Sequence, residues 1–277
     1  MDTDTASLIL AAGRGSRMKG FEGSKALLPL IPGKSHYEGN NPILLEILNN
    51  LPKGPTAVVV NHRKKDIIMA TRNLDLTYCD QPVLNGTGGA LLAARKFLEG
   101  LKSRQLIITM GDIPLVKKTS YSRLVKSLKN NSLSVLGFRP KEKKQYGVLK
   151  IEGEQVKKII EWKYWNVYSQ EKQKRLQICN SGIYAAKTDE LLHYISILAA
   201  RPHIVQKEIR GKQTEVKEFF MTDIVEYMCD DGLTVGYVIG DKDEVMGVDD
   251  PSAIIKAQEL FTSKIQPRSR KKSLNLV

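Results

Sequence analysis

An uninterrupted apolar run, Ser7-Leu8-Ile9-Leu10-Ala11-Ala12, gives way abruptly to a loop of glycines and cations, Gly13-Arg14-Gly15-Ser16-Arg17-Met18-Lys19-Gly20. A run this short and this continuous reads as a strand covered on both faces. Such strands belong to parallel sheets wrapped by helices, and in open α/β sheets ligands sit at the carboxyl ends of the strands. The loop therefore occupies a ligand position. Its chemistry suits an anion, because glycines let backbone amides approach phosphate oxygens while arginine and lysine neutralise charge.

The same alternation continues along the chain. Ile43 to Leu51 has helical spacing, Thr56 to Val60 is β-branched, and Leu74 to Tyr78 alternates as a strand. Gly88 to Leu101 reads as an amphipathic helix, and Gln105 to Met110 as a second buried strand ending at Gly111-Asp112. Tyr121 to Leu128 reads as a helix and Leu133 to Phe138 as a strand. Tyr146 to Ile151, Val156 to Glu161 and Ile178 to Ala185 read as ribbons forming a lid on the same sheet. Helical patterns return at Asp189 to Leu198 and Met221 to Met228, and a last helix opens at Asp250 with Pro251 in its first turn, where a missing amide costs nothing. No boundary is expected within 1–261.

Two familiar phosphate loops fail on the residues. A dinucleotide fingerprint starting at Gly13 and Gly15 needs a small residue where Met18 stands, and a P-loop ending at Gly33-Lys34-Ser35 needs glycine where Leu28 stands.

Composition narrows the classes further. Over 277 residues, 42% hydrophobic and 26% charged content excludes a mostly disordered chain. Cys79, Cys179 and Cys229 match no zinc or CxxC spacing, so they read as reduced, buried thiols. No apolar run approaches the ~20 residues of a membrane span, and the acidic start at Asp2 and Asp4 is unlike a signal peptide. A soluble, cytoplasmic protein is expected, with no stable membrane insertion. The net charge of +13 suits nucleic acid, an anionic surface or anionic substrates. Part of it sits in 262–277, where Lys264, Arg268, Arg270, Lys271 and Lys272 face no acid, as in a flexible basic tail. Nucleic-acid binding has no aromatic or helix-turn-helix support, so none is expected.

Leu10-Ala11-Ala12-Gly13-Arg14-Gly15-Ser16-Arg17-Met18 with Lys25 resembles the signature loop of the nucleotidyltransferases that make activated sugars. The likeness continues in order through Gln81-Pro82 with Gly86-Thr87-Gly88, Gly111-Asp112-Ile113-Pro114-Leu115, Tyr146-Gly147, Glu161 with Lys163, Asn180-Ser181-Gly182-Ile183-Tyr184, Thr222-Asp223-Ile224 and Gly247-Val248-Asp249-Asp250. Within that superfamily the pattern is most similar to the uridylyltransferase domain of the bacterial bifunctional N-acetylglucosamine-1-phosphate uridylyltransferases. The resemblance spans about residues 6 to 261.

The resemblance implies an α/β, Rossmann-like (GT-A-like) nucleotidyltransferase fold: a mostly parallel sheet with helices on both faces and a smaller sugar-binding β lobe. It implies transfer of a uridylyl group from UTP to a sugar 1-phosphate, releasing pyrophosphate. Arg17, Lys25 and Asp112 are then the catalytic residues. Leu10, Ala12, Gly13, Arg14, Gly15, Ser16, Arg17, Gln81, Gly86 and Thr87 bind the nucleotide. Gly147, Glu161, Asn180 and Thr222 meet the sugar, and Asp112 with Asp249 holds Mg2+. These residue types suit the reaction: the nucleophile is already an anion, so positioning and charge neutralisation carry the rate, and a hard cation prefers carboxylates and phosphate oxygens. Gln81 offers both a donor and an acceptor, which suits an imide edge.

The sequence also departs from the pattern. Ser24 stands where proline usually precedes the lysine, 33–41 is long, Gly89 replaces a common histidine, Phe220 replaces a sugar-contacting tyrosine, and Asp249 replaces asparagine. Hexapeptide repeats are absent, so neither acetyltransferase activity nor a β-helix trimer is expected. His36, His62, His193 and His203 fit no ligand spacing, and Trp162 and Trp165 read as lid packing. Another sugar phosphate, another nucleotide such as dTTP or CTP, and a non-catalytic nucleotide-sugar sensor stay open as alternatives, as does the oligomeric state.

Overall fold

In chain order the elements of the computed structural model are β1 (Thr5–Leu10), a 3-10 turn (Lys25–Leu27), β2 (Pro29–Ser35), β3 (Glu38–Pro42), α1 (Ile43–Asn50), β4 (Thr56–Val60), α2 (Lys64–Thr71), β5 (Thr77–Asp80), α3 (Thr87–Ala93) and α4 (Arg95–Glu99). They continue with β6 (Gln105–Met110), α5 (Lys118–Ser127), β7 (Leu133–Phe138), β8 (Val148–Glu152), β9 (Gln155–Ile160), α6 (Trp162–Trp165) and α7 (Gln170–Arg175). The rest are β10 (Cys179–Lys187), α8 (Thr188–Ala200), β11 (His203–Ile209), β12 (Lys212–Glu218), α9 (Asp223–Asp230), β13 (Val235–Ile239) and α10 (Pro251–Ile265). The structure describes residues 4–18, 20–209 and 211–265.

Among the described residues the main sheet has nine strands. Seven run in the order β13-β7-β10-β6-β1-β4-β5, and β8 and β9 extend from β10. β1 lies parallel to β4 and β6, β4 to β5, and β7 to β13, while β10 runs antiparallel between β6 and β7. β1 sits near the middle, and all six of its residues are buried. Successive side chains alternate between the faces. Leu8, Leu10, Val59 and Ile108 pack with Leu91, Leu98, Ile195, Leu198 and Ile224, whereas Ile9, Val58, Val60 and Ile107 pack with Ile43, Leu44, Ile67, Leu124 and Ile254.

The mostly parallel sheet with helices on both faces is as expected. The differences are local. Ile178 to Ala185 is not a lid ribbon: it forms most of β10, inside the main sheet, and only the β8–β9 hairpin projects from that strand. The helix expected over Gly88 to Leu101 is broken at Ala94 into α3 and α4. The strand read at Leu74 to Tyr78 forms later, at Thr77–Asp80. The long stretch after Lys25 folds as a β2–β3 hairpin fastened to α10, where Gln258 donates to Pro29 O (2.8 Å) and His36 O (2.9 Å). The β11–β12 hairpin was not expected.

The last helix begins as expected. The Asp250 carboxylate accepts from the Ala253 amide at 2.9 Å, next to Pro251. That helix continues to Ile265, so the tail expected from 262 starts as helix, and its residues from 266 on lie outside those described. Cys79, Cys179 and Cys229 are free thiols, the first two buried. Among the described residues no helix is long and apolar enough to cross a membrane.

Candidate active site

The carboxyl ends of β1 and β6 open onto a cavity of about 160 Å3 lined by Leu10, Gly13, Gly15, Ser16, Arg17, Ser24, Lys25, Met110, Asp112 and Asp249, among others. β1 delivers the glycine loop directly to this rim. Gly15 adopts a φ of +64°, and a Cβ there would stand 2.7 Å from Lys25 Cγ, so the lysine stem crosses the space that a side chain would fill. Met18 is buried beneath the loop and its amide donates to Gly15 O at 2.8 Å, which closes the turn.

At the floor, the Lys25 ammonium donates to Asp112 Oδ2 at 2.6 Å and to Asp249 Oδ1 at 2.9 Å. Arg17 Nη2 lies 3.0 Å from the same Asp249 oxygen. Two backbone bonds tie the carriers together: the Gly111 amide donates to Leu10 O (2.9 Å) and the Val248 amide to Asp112 O (2.8 Å). Burial pulls the Lys25 pKa down, but the carboxylates of Asp112 and Asp249 outweigh it and hold the group above the ordinary lysine range. The Tyr146 hydroxyl is pushed up by burial and by the nearby Asp249 carboxylate.

Asp112 and Asp249 converge on one cationic nitrogen, which is the arrangement a hard cation needs from a pair of carboxylates. Among the described residues no group of three or more His, Cys, Asp or Glu is arranged to hold a metal. A cation here would take its other ligands from phosphate and water, as Mg2+ commonly does. The donor set fits.

A second group of expected residues sits at the neighbouring strand ends. Gln81 follows β5, is 4% exposed, and its amide donates to Val60 O at 3.0 Å. Its side-chain Nε2 donates to Asn85 Oδ1 and Gly86 O, both at 3.2 Å, so the donor end expected to face a base is already engaged. Gly86 has a φ of +97°, and a Cβ there would meet Phe219 O at 2.3 Å. Thr87 Oγ1 accepts from the Met221 amide at 3.1 Å, locking this turn to the segment before α9. Gln81, Gly86 and Thr87 do not line the cavity described above, and neither does Ala12, which is buried in the core. Arg14 is exposed.

The third group is contiguous. The Asn180 amide donates to Gly147 O (2.8 Å), a Cβ on Gly147 would lie 3.5 Å from Glu161 Oε2, and Thr222 Oγ1 donates to Glu161 Oε1 (2.8 Å). Burial raises the Glu161 pKa against that hydrogen bond. Asn180 sits at the β10 register shift, where its Oδ1 accepts from the Gly182 amide (3.0 Å) and its Nδ2 donates to the Tyr184 hydroxyl (2.8 Å). It is thus a bulge residue as well as a site candidate. Phe220 packs edge-on against His203, whose Nε2 lies 2.8 Å from Asp223 Oδ2. Trp165 is buried with its indole N–H on Tyr146 O (2.8 Å), while Trp162 is 37% exposed.

Sequence reasoning missed Ser24 and Met110 in the cavity wall, Asn85 on Gln81, and Phe219 as the prop for the Gly86–Gly88 turn. Two carried a signal: Ser24 as the departure from proline before Lys25, and Phe219 beside the Phe220 departure. Met110 shows in the cavity only once β6 meets the glycine loop, and the Asn85 contact depends on the local turn after Gln81.

Comparison with known proteins identifies a family and a shared fold. The family model for the MobA-like NTP transferase domain matches residues 7–178. The chain is 27% identical over 277 residues to the bifunctional protein GlmU of Ruegeria pomeroyi, covering 98% of the chain and 55% of that protein. It therefore spans about half the length of the curated relatives it matches. A structure from Bacillus anthracis, assigned as a glucose-1-phosphate thymidylyltransferase, superposes with a TM-score of 0.64 at 16% identity, covering 92% of this chain and 94% of that one. One from Entamoeba histolytica, assigned as a UDP-N-acetylglucosamine pyrophosphorylase, gives 0.61 at 16% identity over 86% of this chain and 73% of that one. Both show likeness of fold.

Proposed function

The chain belongs to the MobA-like NTP transferase domain family, and from that premise we propose that it transfers a uridylyl group from UTP to a sugar 1-phosphate, with N-acetylglucosamine 1-phosphate the leading acceptor. The observation that carries this reading is the Lys25 ammonium held between Asp112 and Asp249 on the floor of the glycine-loop cavity. An anion cradle alone needs no carboxylates. A reacting centre that brings two phosphates together needs cations, and a place for one more.

In this reading a phosphate oxygen of the sugar attacks the α-phosphorus of UTP in line. The bond from that phosphorus to the bridging oxygen breaks, and pyrophosphate leaves with the electron pair. No general base is required, because the attacking oxygen is already anionic. Arg17 and Lys25 hold the triphosphate and the leaving group, and the elevated pKa keeps Lys25 an ammonium throughout. The backbone of Gly13 to Ser16, with Leu10, Ala12 and Arg14, cradles the nucleotide. Gln81, Gly86 and Thr87 read the base, and Gly147, Glu161, Asn180 and Thr222 orient the sugar. Asp112 and Asp249 would hold Mg2+, which when bound neutralises the approaching anions and polarises the α-phosphate. Its removal by a chelator is expected to stop turnover.

The direct test is product identity. Incubation with UTP, N-acetylglucosamine 1-phosphate and Mg2+ is expected to give UDP-N-acetylglucosamine and pyrophosphate in equal amounts on ion-exchange chromatography. Recovery of unchanged substrates, with nucleotide-sugar binding intact, would replace the transferase by a sensor.

A further inference from the structure

We infer that Asn85 is a positioning residue that decides which base the nucleotide site accepts, by holding the Gln81 amide with its oxygen outward; this rests on the nucleotidyltransferase reading above. The orientation follows from a fixed group. Gly86 O is a backbone carbonyl and can only accept, so the Gln81 atom 3.2 Å from it is the NH2 and not the oxygen. Asn85 then supplies a second acceptor to the same Nε2 through Oδ1, also at 3.2 Å. With both amide protons engaged, Gln81 has one polar atom left. Among the described residues nothing donates to Oε1, yet it is not sealed from solvent, although Gln81 is only 4% exposed.

Asn85 is itself fixed from both sides. Its amide donates to Val83 O at 3.0 Å and its carbonyl accepts from the Phe219 amide at 2.9 Å. The space its side chain occupies explains Gly89. A Cβ on Gly89 would stand 1.8 Å from Asn85 Oδ1 and 3.2 Å from Gln81 Nε2. A histidine at position 89 would therefore displace Asn85, so the glycine and the asparagine belong together.

A lone acceptor, with its donor partner tied off, selects a base that offers a ring N–H. Uracil and thymine carry a proton on N3, whereas cytosine has a lone pair there that the Gln81 oxygen would repel. The site is therefore assigned to nucleotides whose base carries such a ring N–H, on N3 in uracil and thymine or on N1 in guanine, and Asn85 supplies part of the discrimination against cytosine.

The test compares kcat/KM for UTP, dTTP and CTP in the full chain and in three variants, with Mg2+ and a saturating sugar 1-phosphate. Asn85→Leu removes the acceptor and is expected to shrink the preference for the imide nucleotides over CTP by roughly three- to tenfold, the range spanned by one neutral hydrogen bond. Asn85→Asp keeps an acceptor at the same reach and is expected to hold that ratio within about twofold, whatever its charge does to the nucleotide KM. Gly89→Ala is expected to behave like Asn85→Leu, and because alanine suits a helix it carries the test if Asn85→Leu does not fold. The KM for the sugar phosphate is expected to stay at its original value in all three. A wild-type ratio in Asn85→Leu and Gly89→Ala would overturn the inference, as would equal loss in Asn85→Asp. Wild-type protein that turns over CTP as well as UTP would overturn it at the level of the base. Wild-type protein inert with every nucleotide would instead remove the reading on which it rests.

Discussion

Replacing Lys25 by methionine keeps most of the buried stem and removes only the charge. The side chain is 11% exposed, Asp112 21% and Asp249 38%. Breaking a buried pair from one side costs about 3–5 kcal/mol, because the remaining charge is left without a partner. The Asp249 half belongs to the exposed regime of about 0–1 kcal/mol and keeps Arg17 as a partner. Asp112 is only partly buried, so a net loss of about 2–3 kcal/mol is expected from these two regimes. For a chain of 277 residues that lowers the melting temperature by about 3–5 °C.

Magnesium is then expected to restore part of the loss, since two carboxylates now face each other with no ammonium between them. At ten times its Kd the ion returns about 1.4 kcal/mol by linkage. In the parent protein the metal competes with the ammonium, so its shift is smaller. The folded-state pKa of Lys25 is raised, so its contribution is complete at neutral pH and is lost only as pH rises through that elevated value. The melting gap between the two proteins therefore closes only in strongly alkaline solution. Calorimetry of both proteins, with chelator and with Mg2+, reads all of this. Equal melting temperatures in chelator, together with equal magnesium shifts, would refute the idea that Lys25 neutralises a cation site.

Three further outcomes are expected. Arg17→Ala should leave the melting temperature within about 2 °C, because its pair with Asp249 is an exposed one, while kcat/KM falls about 10^2- to 10^3-fold from the loss of one charge at the reacting centre. Glu161→Gln should raise the melting temperature at pH 7 and raise the KM for the sugar phosphate. Burial lifts the Glu161 pKa, so its carboxylate form costs stability as pH rises through the folded value, and an amide oxygen still accepts from Thr222; a lower melting temperature at pH 7 would contradict this. Gly86→Ala should destabilise by at least about 2 kcal/mol in chemical unfolding, since positive φ and the approach to Phe219 O act together; a change below about 0.5 kcal/mol would mean the turn can move.

Much of the fold was legible because its central strands are short continuous runs. β1 and β6 each stop at the residues that line the cavity, so strand and site were read from the same boundary. β10 was misplaced because its apolar pattern fits a lid ribbon as well as a sheet strand, and only pairing with β6 and β7, far away in sequence, decides between them. The β11–β12 hairpin is rich in lysine, glutamine and glutamate, which leaves little apolar alternation to read. In the site, Lys25, Asp112 and Asp249 were legible as residue types, but their convergence on one nitrogen spans 224 positions of sequence separation. The engaged donor of Gln81 was invisible for a different reason: its partners are only four and five residues away, but the contact depends on the way the chain turns between Asn85 and Gly86.

Nucleotidyl transfer at the Lys25 site is read out by pyrophosphate release with Mg2+, measured across UTP, dTTP, CTP, ATP and GTP against several sugar 1-phosphates. Strong release is expected with UTP and N-acetylglucosamine 1-phosphate, and none in Asp112→Asn or in chelator. No release with any pair, from protein that still binds nucleotide sugars, would contradict nucleotidyl transfer at this site.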